Sequence, residues 1–573
     1  MPGLWYEAPA MNHPTVPEAT VADRLEPQPS QAACGPAHLP TATAAATALL
    51  PGASVRVPAP AATPTGNGAT RRRLLHAVLA GAALVALPPR VCAAGAADAP
   101  RFGLGVASGR PQSDRLVLWT RLTGADLPPA VAVRWELADD EAFTRVVARG
   151  TEAAETAWAH SVHAEPAGLT PGRWYWYRFE ALGQRSAVGR TRTAPAADAA
   201  ATLRFSIASC QRFDKGHYAA WRDVAESAPD LVLFLGDYIY ESASAPGALR
   251  PHEGGLVRTL DGYRRRHAQY KADPLLQAAH ACAPWLVIWD DHEVDNDYAG
   301  LTGQRLQPGF KAQRAAAYQA WWEHMPLPKS VRPVGADARI VFRLDWGRLA
   351  RLHGVDMRQH RDPQACPRPG RSGGRLLPRA ECAAFDDPQR TLLGAAQEQW
   401  LAAGWDLERP WNLLAQTTLM TRLSASPTAD EGGTYRSDGW DGYAPARRRL
   451  LAAVAERRLP GAVVLGGDVH MHCVAQLKTD FDDPRAAIVA SEFCGTSISS
   501  HGTAQALVTL AQWHNPDLLL ADSTQRGTIR FTLDEHRLQA ELRAVDNPSD
   551  PASPVRTMAR YAVEAGRPGP VAA

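Results

Sequence analysis

Between residues 101 and 195 the chain carries short apolar or alternating runs separated by turns. Residues 115–120 and 131–136 are of strand length, and 174–179 follow the turn Thr170-Pro171-Gly172. This pattern predicts a small all-β sandwich over 101–195, of the fibronectin or immunoglobulin kind. Past an Ala- and Asp-rich linker at 195–201 the pattern changes. Residues 203–208, 231–235, 285–289, 350–355 and 462–465 are almost unbroken apolar runs, with helical stretches between them, one around 217–227. Continuous apolar strands alternating with helices predict a layered α/β domain over 201–573. Polar residues gather where these strands end, and that is where such sheets place ligands.

The first 100 residues read as an address. Residues 1–70 are rich in Ala, Pro and Thr without apolar periodicity, and are read as disordered or as a mis-set start. Residues 71–97 begin with Arg71-Arg72-Arg73, continue into an apolar run from Ala77 to Leu87 and exit through small residues. That sequence predicts a twin-arginine signal peptide, hence the twin-arginine export machinery as a partner and a periplasmic or secreted location. The apolar run is shorter than the ~20 residues of a membrane span, and no later segment reaches that length.

The composition fits a folded chain of at least two domains: 573 residues, 45% hydrophobic and 21% charged. With 61 basic against 59 acidic residues the net charge is +2, so no nucleic-acid-binding surface is implied, and a monomer is expected. Beyond the signal lie six cysteines. Cys366 and Cys382 share a loop rich in Pro, Gly and Arg and are the best disulfide candidate in an oxidising compartment. Cys282, Cys473 and Cys494 read as buried thiols.

The chemistry is in the repetition at strand ends. Asp237, then Asp291-His292 with Asn296, then Asp468 with His470 each follow a different apolar strand. Carboxylates that converge repel one another unless a cation sits among them, and carboxylate, amide and imidazole ligands suit hard or borderline cations. In Asp468-Val469-His470 the two-residue spacing points both side chains to one side if the strand continues.

Gly236-Asp237-Tyr238-Ile239-Tyr240, Trp289-Asp290-Asp291-His292-Glu293, Asp356-Met357-Arg358-Gln359 and Gly467-Asp468-Val469-His470 together resemble the alkaline phosphatase D (PhoD-type) family of metallophosphoesterases. Further echoes are Phe102-Gly103-Leu104-Gly105, Trp440-Asp441-Gly442-Tyr443 and Phe493-Cys494-Gly495-Thr496. The resemblance runs from about Arg101 to the C-terminus. It implies a metallophosphoesterase-like catalytic domain, a ferric ion held by Cys210, Asp237, Tyr240, Asp468 and His470, and a calcium ion held by Asp237 and Asn296. By the same resemblance Arg358 binds the substrate phosphate, while Asp291 and His292 stand near the leaving group. A planar guanidinium offers paired donors to phosphoryl oxygens, which fits Arg358. Arg361, three residues on, reads as a surface charge, with a second phosphate clamp as the alternative. His472 alternates onto the face of His470, and either a site contact or a plain packing role suits it.

The expected activity is hydrolysis of phosphate mono- and diesters by metal-activated water, without a covalent intermediate, in the service of phosphate scavenging. His292 is the candidate proton donor to the leaving oxygen. No Walker-type loop and no Gly-x-Ser-x-Gly elbow competes with this reading. Two alternatives stay open: cleavage of phospholipid headgroups, and a secreted surface-binding protein whose metal site is structural.

Overall fold

Long apolar runs become buried parallel strands, and two sheets built around them share one core. The computed structural model describes residues 100–428 and 432–573; residues 71–97, read above as a signal, lie outside them. In the first sheet, of ten strands, Leu203–Ala208, Leu231–Leu235 and Pro284–Ile288 run parallel side by side. In the second, of seven strands, Ala350–Gly354, Trp411–Ala415, Ala462–Gly466 and Ile488–Cys494 are the parallel centre. Every residue of Leu231–Leu235, Pro284–Ile288, Trp411–Ala415 and Ala462–Gly466 is buried, which is why their sequences carry no alternation. The two sheets meet at stacked rings. Phe205 lies 4.7 Å from Phe531 within the first sheet, and Phe531 lies edge-on, 5.4 Å from Phe493 of the second.

Helices cover the outer face of the first sheet. Trp221 of Ala219–Ser227 packs 5.0 Å from Trp285, and Tyr318 of Phe310–His324 stacks 4.0 Å from Trp289. The Asp273 carboxylate caps Pro274–Cys282, accepting from the Leu275 and Leu276 amides. Among the described residues no helix is long and apolar enough to cross a membrane.

The N-terminal segment supplies strands to two sheets. Strands Ala130–Ala138, Val146–Glu155 and Trp174–Ala181 build a separate sheet, with two short strands, Gln184–Arg185 and Gly189–Arg192, beside the last of these. The other strands of 101–195 face this sheet across one apolar cluster and belong to a larger sheet. Val106–Gly109, Val117–Arg121 and Ser161–Ala164 extend the ten-stranded sheet, through a parallel pairing of Ser108 with Pro284. The small sheet packs against them through Val133, Tyr177 and Phe179. The strands themselves were readable; the pairing of Val106–Gly109 with Pro284–Ile288 joins segments far apart in the chain, where periodicity carries no signal.

Candidate metal centre

The exits of the parallel strands of both sheets come together. The Ile498 amide donates to the Ser209 carbonyl at 3.0 Å, and the Thr417 hydroxyl donates to the Asp290 carboxylate at 3.0 Å. Each bond joins one sheet's loops to the other's. The approach is so close at Gly236 (φ 99°) that a Cβ there would stand 2.5 Å from the Cβ of Asp290. Only glycine fits that turn. Non-glycine residues hold the same left-handed conformation at Cys210 (58°), Asp237 (60°), Asp468 (62°) and His470 (54°). Such a conformation costs roughly 1–2 kcal/mol per residue and persists only where the surroundings enforce it, typically at functional sites.

These turns deliver two groups of donor atoms that share one residue. Cys210, Asp237 and His470 present ligand atoms within 4.8 Å of one another, and so do Asp237, Asp291 and His292. Asp237 belongs to both. Its Oδ2 accepts from the Tyr240 hydroxyl at 2.8 Å, while its buried Oδ1 has no partner among the described residues. The Tyr240 oxygen also takes a hydrogen bond from Ser500 (2.8 Å) and lies 3.2 Å from His470 Nε2. The Nδ1 of His470 faces the His501 carbonyl at 2.8 Å, which turns Nε2 toward the group. Burial pushes the His470 imidazole down to about 4, so it is neutral and can donate a lone pair.

The protein groups alone leave this pocket electrostatically unfavourable. Burial, with Asp291, Asp290 and Glu293 around it, drives the Asp237 carboxyl well above its ordinary range, although His292 opposes this. Burial and the Asp237 charge likewise push the Cys210 thiol well up. Burial, with Asp290 and Asp291, raises Asp468 to about 7. An orphaned carboxylate oxygen among raised acids, a thiol, a phenol and a neutral imidazole is a donor set that fits cations. Positive charge would offset the repulsion and favour the ionised thiol and phenol.

Residues that sequence reasoning passed over hold this arrangement. Glu241 accepts from His292 Nδ1 at 2.7 Å and from the Asn296 amide at 3.2 Å. Burial would lower the His292 imidazole, but Glu241, Asp237 and Asp291 hold it well above its ordinary value. In the cation-free protein these carboxylates favour the protonated ring. The Glu293 carboxylate accepts from the amides of Asp237 (3.1 Å), Asp290 (2.8 Å) and Tyr238, fastening two strand exits together. Asp438 draws in Arg358 and Arg361. Glu293 sits inside a sequence motif and Glu241 directly follows one, but a carboxylate aimed at backbone amides leaves no spacing signal.

Replacing Glu241 with Gln removes the counter-charge of His292. We expect kcat to fall by about 10–100-fold and the alkaline limb of the pH–rate profile to move to lower pH, since the imidazole then loses its proton sooner. An unchanged profile would deny His292 the role of acid.

Two expectations, the shared face of Asp468 and His470 and the exposure of Arg361, need correction, and the other residues take the places given with them. The strand Ala462–Gly466 stops before Asp468, so the two-residue spacing does not align Asp468 with His470. Only His470 enters a tight ligand group; Asp468 takes a 2.6 Å hydrogen bond from Thr418 beside it. Arg361 is no surface charge: it is buried, donating to the Asp438 carbonyl and to the Tyr443 hydroxyl. His472 is a packing residue, its Nε2 against the Arg543 carbonyl and its Nδ1 accepting from the Thr496 amide. Asn296 follows the Asp291-His292 turn, half-buried, its amide held by Glu241. Arg358 is buried among three carboxylates, with Nε 2.5 Å from Asp290 and Nη2 3.0 Å from Asp438 and 3.7 Å from Asp291. Cys366 and Cys382 form the expected disulfide, with Cα atoms 6.1 Å apart, while Cys210, Cys282, Cys473 and Cys494 are free thiols.

Known proteins share this architecture. A sequence profile described as "PhoD-like phosphatase" matches residues 205–542, and one for the PhoD-like phosphatase N-terminal domain matches residues 89–195. The chain is 40% identical over 486 residues to alkaline phosphatase D of Bacillus subtilis (strain 168), covering 82% of each protein. A solved structure of PhoD superposes with a TM-score of 0.78 at 39% identity, covering 82% of this chain and 92% of that one. A purple acid phosphatase from yellow lupin shares the fold at 12% identity, with a TM-score of 0.52 over 80% of this chain and 74% of its own.

Proposed function

The chain belongs to the PhoD-like phosphatase family and is a phosphoric ester hydrolase of the alkaline phosphatase D type; from that premise we propose that it is a metal-dependent enzyme acting on phosphate mono- and diesters outside the cytoplasm, in phosphate scavenging. The observation that carries this reading is Asp237, whose unpartnered oxygen stands where two ligand groups meet. Cys210, Tyr240 and His470, with Asp468 alongside, would hold a ferric ion, and Asn296 and Asp291 a calcium ion, with Asp237 common to both; such cations supply Lewis acidity and acidify water at the site.

The chain's own groups do the rest. Ser500 and Asp237 fix the Tyr240 oxygen, and the His501 carbonyl fixes the ring of His470. The imidazolium of His292, paired with Glu241, carries a proton for the leaving alkoxide. Arg358 keeps Asp290, Asp291 and Asp438 in place around the reacting group. Water attacks phosphorus directly, with no phosphoryl-enzyme intermediate. Export through the twin-arginine route is supported by the Arg71-Arg72 signal, and the Cys366–Cys382 disulfide suits an oxidising compartment.

The test is to compare turnover of p-nitrophenyl phosphate, bis-p-nitrophenyl phosphate and phosphatidylcholine by the metal-loaded protein. Hydrolysis of the first two supports the proposal. Turnover confined to phosphatidylcholine would move the assignment to phospholipid headgroups, and hydrolysis of none would leave only a structural metal site.

A further inference from the structure

Resting on the phosphatase reading, we propose that Arg436 is a substrate-contacting residue that receives the phosphoryl group at the mouth of the site and favours esters carrying two negative charges over those carrying one. The reason begins with Arg358 and Arg361. Both are buried, Arg358 donating to Asp290 and Asp438 and Arg361 to Asp438 and Tyr443. Turning Arg358 toward a phosphate would strand buried carboxylates. Arg436 differs: its side chain is 63% exposed, and its contact with Asp297, Nη2 to Oδ1, is a loose 3.5 Å.

Its position is built. Thr434–Arg436 pairs antiparallel with Leu376–Pro378, Leu376 opposite Arg436. Alternation turns Tyr435 into a cluster with Leu377, Phe385 and the disulfide-bonded Cys382, and so sends Arg436 to the other side. The ribbon is pinned to the centre. The Asp297 Oδ2 accepts from the Gly374 amide at 3.1 Å, and the Asp297 amide donates to Asp291 at 2.7 Å. Asp438, two residues past Arg436, closes on Arg358. Arg436 thus feels the charges of Asp297, Asp438, Asp468 and Asp291 while remaining open to solvent.

Asp297, which faces Arg436 and has no place among the proposed cation ligands, repels a dianionic phosphate approaching this rim. An extended guanidinium with free donors counters that repulsion and offers two parallel hydrogen bonds to phosphoryl oxygens. A monoester dianion has more to gain from it than a diester monoanion.

The experiment uses Arg436→Gln and Arg436→Lys in the metal-loaded enzyme. Expected for Arg436→Gln is a rise of about 10-fold or more in KM for p-nitrophenyl phosphate and in the calorimetric Kd of inorganic phosphate, against less than about 3-fold in KM for bis-p-nitrophenyl phosphate. Arg436→Lys should recover part of the loss, since it keeps the charge without the fork. The side chain is exposed, so both variants should melt with the wild type. Unchanged phosphate affinity and monoester KM, or an equal loss on both esters, would overturn the proposal. A wild type that hydrolyses neither ester contradicts the phosphatase reading instead, and the phosphate titration then still decides the role of Arg436.

Discussion

Asp237→Asn is expected to lower kcat/KM for p-nitrophenyl phosphate by at least about a thousandfold, or ~4 kcal/mol of transition-state stabilisation. No other single substitution at the centre should cost the reaction more. Asp237 is common to both ligand groups, and its Oδ1 is the oxygen that the protein leaves without a partner. An amide brings no charge and puts a donor where one ligand oxygen stood, so both cations weaken together. Stability should move the other way. In the cation-free protein Asp237 is crowded by Asp290, Asp291 and Glu293, and removing one member of that cluster relieves repulsion. The metal-free variant is therefore expected to melt at or above the metal-free wild type, while binding less metal by elemental analysis. A variant that keeps metal and loses only turnover would make Asp237 a purely catalytic group.

The second large effect belongs to Arg358, and it falls on the fold. Arg358→Met leaves Asp290, Asp291 and Asp438 facing one another in a buried pocket. Breaking a buried charge network on one side costs about 3–5 kcal/mol, so the urea midpoint should fall along with activity. Arg358→Lys should be intermediate, keeping the charge but losing the bidentate reach to Asp438. If Arg358 served only to bind phosphate, KM would rise and the urea midpoint would stay in place.

The parts of the site that could be read from the sequence follow from how parallel sheets are buried. Residues 203–208 and 231–235 carry no polar residue that could face solvent except Arg204 and Ser206, and each run ends at the turn that presents Cys210 or Asp237. The disulfide was readable from its Pro- and Gly-rich loop. Three things were not. The tie of 106–109 to 284–288 joins segments about 180 residues apart, with no period to announce it. The neighbours of Asp438 and Arg436 are set by a ribbon whose two strands lie far apart in sequence. The spacing of Asp468 and His470 misleads because it presumes a strand, whereas both residues sit in left-handed turns. In each case the decisive contact is non-local or the backbone departs from regular geometry, and the pattern of residue types records neither.

The most direct test is elemental analysis of the purified wild-type protein, before and after chelation and reloading, with p-nitrophenyl phosphate turnover followed in the same samples. The account predicts iron and calcium bound together, turnover lost on chelation and restored on reloading. A chelated protein that holds no metal and still hydrolyses the ester at the original rate would contradict it.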